Sequence, residues 1–556
     1  MTLPAPPPAG APATILSRQP RGLTERFYTS GLYRLWLDSG RPRTPVATPR
    51  DPIPGEAERA NALFQGQFEL VGQRLQSTNR APWDLAPPSL DFAVALHGFA
   101  WLRDFRAAAT SPTARKTARD LIRNWTLRHR NWDPFTWRTD ILSRRLWSWL
   151  CSADFLLTDA DPLFRQDFLT SLHRQSRHLA TAARRASPGL TRLEAMAALL
   201  IVAIFVSGRR RGIQRAQAAL LLEIDAQILP DGGHVSRNPL ALLRAFEILV
   251  CLRAALAVHR VDVPAAVIGA IDRVAPTLRM LRHGDGGFAV FHGGDEGSKG
   301  DVETLLRLSD AESKPSNSAP YFGFERLSAG RSLVILDSGP QDARARSAYA
   351  SPLALELSIG RDRVVVNCGP WPGEDENWLK ASRATAAHST LVIDDRSASG
   401  TPPRNASSEA SLRGVATDSY WVEARSDGYA NRFGVAHRRR LHLARDGYEL
   451  VGEDTLDAAK PDGQLPMAQN AVLRFHLHPL VKASPIRNGN EILLALPSGA
   501  GWSFEALDGQ PQLEDSIYMG HGREARRSQQ IVVTVPLDKG TGRTTWRFAR
   551  IEDSRS

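Results

Sequence analysis

A helical domain followed by an all-β domain is the architecture this sequence predicts, and three observations carry that reading. From about residue 60 to 310, apolar residues recur at spacings of three and four between short Gly or Pro turns, with no sustained period-two alternation. After about residue 315 the texture changes to short alternating segments, which Gly, Asp and Asn punctuate at hairpin intervals and no long helix separates. The chain has 556 residues, 42% of them hydrophobic, enough for about two to four domains with a sizeable core.

Residues 1–55 are rich in Pro, Ala and Arg around one amphipathic piece, LTERFYTSGLYRLWL, and predict a flexible arm with one docking helix. Residues 56–312 hold helical segments such as SLDFAVALHGFAWLRDFRAAAT, PLFRQDFLTSLHRQSRHLATAARRA and PLALLRAFEILVCLRAALAVHR. Paired antiparallel helices of this length close into a toroid or stack into a solenoid. The run AMAALLIVAIFVSG is shorter than a membrane span and reads as a buried helix. GRRRG at 208–212 reads as a loop. Residues 313–556 hold many short strands, including SLVILDSG, HSTLVIDD, AVLRFHLHP and QIVVTVPL, and predict a large antiparallel β-sandwich. HRRRLHL at 437–443 reads as a strand whose alternate arginines face solvent.

Seventy Lys and Arg against fifty-nine Asp and Glu give a net charge of +11 and a pI near 9.9, which favours a polyanionic partner. Cys151, Cys251 and Cys368 are widely spaced with no CxxC, so they suggest buried thiols rather than a disulfide framework or zinc ribbon. The N-terminus shows no basic segment followed by an apolar one, so the expectation from the residues is a cytoplasmic chain.

The domain order, with LHGFAWLRDF, LPDGGHVSRNP, LRHGDGGFAVFHG, LALELSIGRDRVVVNCG, RATAAHSTLVIDD and FHLHP, resembles the heparinase II/III family of polysaccharide lyases. The resemblance implies an incomplete (α/α) toroid followed by an antiparallel β-sandwich, a periplasmic or envelope location, and β-elimination next to a uronic acid. The C5 proton of a uronate is weakly acidic. The site must therefore stabilise an enolate beside the carboxylate while a base removes that proton and an acid protonates the leaving oxygen. In the family these groups, with a structural metal, lie between toroid and sandwich.

This chain departs from the pattern there. GLTRLEA puts Leu190 and Thr191 where an Asn and a His neutralise the carboxylate. Ala241 and Leu242 stand at the Tyr-His pair, and Ser347 at the sandwich histidine. Tyr349 and Asn367 replace two metal ligands, and His388 alone survives. Such a set would hold a divalent metal such as zinc poorly, so no tight cofactor is expected.

The remaining candidates are His234, Arg237 and Asn238 on the DGGHVSRNP turn, where Gly232 and Gly233 permit close backbone approach and His234 and Arg237 project from the loop. Asn238 equally suits a helix N-cap ahead of Pro239. If the chain is a lyase, Tyr349 or His388 transfers the proton while His234 and Arg237 hold the carboxylate, with Arg383 and Trp101 as further substrate contacts. His476 and His478, two apart on a strand, share a face and with His388 are weak metal candidates. His283, Asp285 and His292 read as a solvated loop. Trp147 and Trp149 divide between surface and core.

Three functions follow: a lyase acting on an acidic, uronate-containing polysaccharide; a non-catalytic acidic-glycan-binding or envelope-assembly protein on the same scaffold; and, last, a nucleic-acid binder, for which no helix-turn-helix, RNA-recognition or zinc signature speaks. No transmembrane anchor is expected, and the oligomeric state is open.

Overall fold

The computed structural model describes residues 22–258, 261–340, 348–373, 375–398, 412–459, 467–522 and 524–551. Residues 1–21 of the Pro-rich arm and Ser347 lie outside them. The chain divides into two compact units. One comprises Met1–Gln227, Arg244–Ile271 and Arg307–Ser309, and the other Ile228–Leu243, Asp272–Leu306 and Asp310–Ser556.

The first unit is helical. Among its described residues the arm carries two short helices, Leu23–Thr29 and Gly31–Asp38, where the sequence predicts one. Ser30 breaks the run because its side chain accepts the Tyr33 N–H at 3.2 Å and so starts a new helix. Tyr28, Tyr33 and Leu37 pack with Trp137, and the Tyr33 hydroxyl meets His178 Nδ1 at 2.7 Å. A hairpin, Gln67–Leu70 with Gln73–Gln76, stands inside the region read as wholly helical. Its turn, Val71-Gly72, has φ of 47° and 71°, the positive values a two-residue hairpin turn needs.

The long helices are Pro112–Arg128, Thr139–Cys151, Pro162–Ala182, Leu190–Val202 and Arg210–Gln227. Proline stands at the first position of two of them, and the Asp161 side chain accepts the Phe164 N–H at 2.8 Å to start the third. Thr139–Cys151 packs against both Pro162–Ala182 and Leu190–Val202.

The apolar stretch Leu190–Ser207, which ends in a π-helical turn, is by length and composition able to cross a membrane. Its residues Leu193, Ala195, Ile201 and Phe205 are buried within the unit. GRRRG is not a loop: Gly208, at φ 63°, ends one helix and Arg210 begins the next. Trp149 is buried and Trp147 half-buried, as their spacing predicts. Trp101 is no groove residue. It is 2% exposed, its indole donates to the Leu96 carbonyl at 3.0 Å, and it packs among Phe68, Phe99 and Phe105.

The second unit is a sandwich of two antiparallel sheets, each of nine strands among the described residues. One runs, in spatial order, Lys482–Ile486, Glu491–Ala495, Gly501–Ala506, Thr541–Arg550, Glu449–Ala458, Val435–Ala444, Ser419–Ser426 and Leu412–Val415, with Leu537–Asp538 beside Thr541–Arg550. The other runs Gln512–Tyr518, Arg526–Val535, Ala471–Leu477, Asp362–Val366, Leu355–Ile359, Ser332–Asp337, Phe324–Ala329 and Ser318–Ala319, with Leu391–Ile393 beside Ala471–Leu477. Alternate residues of both sheets, among them Leu357, Leu441, Leu473, Ile492 and Phe548, form one core.

The strand HRRRLHL carries its arginines as alternation predicts. Arg438 and Arg440 face outward and pair with Glu423, but Arg439 is buried. It donates to Asp454 at 2.7 Å and to the Leu353 and Ser389 carbonyls at 2.6 and 3.1 Å. His437 and the Trp546 indole complete the shell around Asp454. Alternation placed Arg439 on the core face, and a full set of partners keeps its charge there.

Candidate functional site

Of the polar residues singled out from sequence, Arg237 and His292 meet at one buried carboxylate within the second unit. Asp337 ends the strand Ser332–Asp337 and is 0% exposed. Arg237 Nη2 donates to its Oδ1, His292 Nε2 lies 2.9 Å from Oδ2, and Ser351 Oγ donates to Oδ2 at 3.0 Å. Desolvation opposes ionisation of Asp337, but the charge of Arg237 and the contact with His292 hold its carboxyl well below the usual range. Burial lowers the His292 pKa despite the nearby carboxylate.

The turn 231–238 is anchored to the protein rather than presented to a ligand. Asp231 accepts Gly233 N at 3.1 Å and Phe322 N at 2.8 Å. A Cβ on Gly233 would lie 2.3 Å from Phe322, and one on Gly232 1.9 Å from the Arg273 carbonyl oxygen. The close approach foreseen for these glycines is therefore to the chain itself. Arg237 turns inward at φ 57° and donates Nε to Phe322 O at 2.8 Å, Nη1 to Pro340 O at 2.9 Å and Nη2 to Gly323 O at 2.8 Å, besides Asp337. Its guanidinium is committed to the fold, which overturns its assignment to a substrate carboxylate.

His234 is 2% exposed and pairs with Ser236 Oγ at 2.7 Å, and burial pushes its pKa down to about 4. It does not project from the loop either. Asn238 is the N-cap, accepting Leu240 N and Ala241 N at 2.8 and 3.1 Å while donating to the His292 carbonyl at 3.0 Å.

Tyr349, His388 and Arg383 do come together. The Tyr349 and His388 rings are perpendicular at 6.0 Å, and the Arg383 guanidinium lies 6.0 Å from the Tyr349 ring. Burial raises the Tyr349 pKa against the pull of Arg383. It lowers His388 to about 4 although Nδ1 meets the Ala384 carbonyl at 2.9 Å.

The metal set implied by resemblance does not fit a divalent cation. Asn367 gives its amide N–H to Glu356 at 3.1 Å and accepts Ser389 N at 3.0 Å, which leaves Tyr349 and His388 without a third donor from that set. His476 and His478 diverge: the first bonds Ser516 at 2.8 Å and Ala386 O at 3.0 Å, and the second lies 3.8 Å from Glu296. Among the described residues no three His, Cys, Asp or Glu form a metal-binding group.

The segment around His283 and Asp285 is docked, not solvated. His283 joins Ser358 and Glu356, each at 2.8 Å, and Asp285 pairs with Arg363 and Lys299. Sequence reasoning missed the partners Asp337, Ser351, Glu356, Arg363 and Glu296. Asp337, ending an apolar run just before a Gly-Pro turn, was the one with a visible signal.

A helical unit and a two-sheet sandwich define a heparinase-type fold. Residues 311–547 match the family described as Heparinase II/III-like, C-terminal. FtsZ-localized protein C of Caulobacter vibrioides (strain NA1000 / CB15N) is 32% identical over 558 residues, covering 96% of this chain and 95% of its own. Among solved structures, Heparinase III superposes with a TM-score of 0.71 at 13% identity, covering 96% of this chain and 90% of its own. The heparan sulfate lyase HepC from Pedobacter heparinus gives 0.64 at 15%, covering 94% and 88%. The chain belongs to the heparinase II/III-like family.

Proposed function

We propose that this chain is a non-catalytic, heparinase-fold assembly protein of the division site, which works by binding rather than by cleaving a glycan. The observation that carries the reading is the commitment of Arg237: the cation best placed by sequence for a uronate carboxylate spends its donors on Asp337 and three backbone carbonyls. Leu190, Thr191, Ala241 and Leu242 supply neither acid nor base at the positions where resemblance puts them. Placement at the division site rests on the printed name of the Caulobacter relative. The test has two arms: ultraviolet absorbance of unsaturated uronates on a panel of acidic polysaccharides, and a fluorescent fusion in Caulobacter vibrioides with and without FtsZ. No absorbance change and an FtsZ-dependent focus are expected. A rise in absorbance, or a diffuse fusion, overturns the reading.

A second reading, a lyase acting on an acidic polysaccharide, is favoured by the convergence of Tyr349, His388 and Arg383. It requires Tyr349 to serve as the proton-transfer group, assisted by neutral His388. Under it, Tyr349→Phe and His388→Ala each reduce turnover by at least about a hundredfold. A loss below threefold in either variant would sink it.

A further inference from the structure

The helix Pro112–Arg128 presents Arg115, Arg119 and Arg123 at intervals of four residues, hence on one face, above a cavity of about 410 Å3. Lys116, Asp120 and Asp161 complete the polar lining, giving four cations against two carboxylates. Buried rings back the arginines: Arg115 lies 5.6 Å from the Phe155 ring, and Arg119 and Arg123 lie 5.8 and 5.5 Å from Phe164. Arg119 is fixed by the Leu156 carbonyl at 2.9 Å, together with those of Thr158 and Asp159, at the end of the helix Ala153–Leu157. Arg123 pairs with Asp161 at 2.9 Å, and Lys116 with Asp120 at 2.9 Å. Arg115 Nε is buried with no hydrogen-bond partner among the described residues.

We propose that this basic groove is a docking site for an acidic peptide segment of a protein partner. Charge complementarity sets the sign, and the forked guanidinium of Arg115 suits a side-chain carboxylate. Concavity, half-buried arginines and the interleaved Asp120 and Asp161 suit a narrow chain with spaced charges better than a flat, uniformly anionic membrane. This inference rests on the binding reading above and gives it a surface.

The test uses the full-length protein and a fluorescein-labelled dodecapeptide of alternating Glu and Ser, followed by anisotropy. Wild type binds with an affinity that falls as salt rises, and Arg115→Glu weakens it about tenfold. Lys116→Glu, at a side chain 81% exposed, weakens it in the same direction. Lys482→Glu, the same charge change on an exposed residue of the other unit, leaves binding unchanged. Equal losses in all three variants reduce the effect to net charge and overturn the proposal. Absence of peptide binding also overturns it, and phosphatidylglycerol vesicles that retain wild type but not Arg115→Glu would then reassign the groove to a membrane. A fusion that ignores FtsZ while the peptide still binds through Arg115 defeats only the division-site reading. An FtsZ-dependent fusion with no loss of peptide binding in Arg115→Glu defeats only the groove.

Discussion

Asp337 shows how one buried carboxylate converts candidate site residues into structural ones. Arg237, His292 and Ser351 satisfy it from three separate segments, so removing one partner leaves an uncompensated charge in the interior. Arg237→Ala is expected to cost about 3–5 kcal/mol in chemical denaturation, and Arg237→Lys to recover little, because an ammonium cannot reach the three carbonyls together. A glycan-binding role for Arg237 would instead leave stability unchanged. Trp101 makes the same point in the helical unit. Trp101→Ala should lower stability by about 3–5 kcal/mol through the cavity it leaves, with no specific effect on any ligand.

Single elements owe their geometry to contacts that periodicity does not encode. The strand Glu449–Ala458 carries Gly452 where an added Cβ would lie 2.0 Å from the Trp546 ring across the sheet. Gly452→Ala is therefore expected to destabilise by about 1–3 kcal/mol, read as a lower denaturant midpoint at constant slope. At the helix Pro239–Val258, Asn238→Ala removes the cap and costs about 1 kcal/mol in the same assay. The arm broke into two helices because Ser30 offers a cap that an amphipathic count ignores. The hairpin at 67–76 escaped notice because four-residue strands carry too little alternation to separate from neighbouring helical spacing.

Across the whole molecule, buried histidines dominate the acid response. In the helical unit burial holds His129 at about 4, His178 at about 3 and His97 well below its ordinary value. In the sandwich unit it holds His234 and His388 at about 4 and His476 at about 3. A histidine whose folded pKa is depressed stays neutral while its unfolded counterpart takes a proton below about 6.5, so stability falls as pH drops from there towards 4. Unfolding near pH 5 should take up about three protons per unit from these groups alone, measurable as the slope of unfolding free energy against pH. The depressed carboxylates Asp337 and Asp454 add their loss only at lower pH, as pH falls below the unfolded carboxylate pKa.

Sequence by itself determined the order of helical and β regions, the buried thiols and the family, because periodicity, composition and local motifs are short-range properties of the chain, whereas Asn238 stayed open between a substrate contact and the N-cap that the structure shows. It also brought Tyr349, His388 and Arg383 onto one short list, and these three do meet. Only the tertiary structure decided that Arg237 and His234 point inward, that Asp454 is the partner of Arg439, and that His476 and His478 serve different neighbours. The partners responsible, such as Asp337 one hundred positions from Arg237, are distant in sequence. A polar side chain declares neither burial nor exposure until the group that satisfies it is in place.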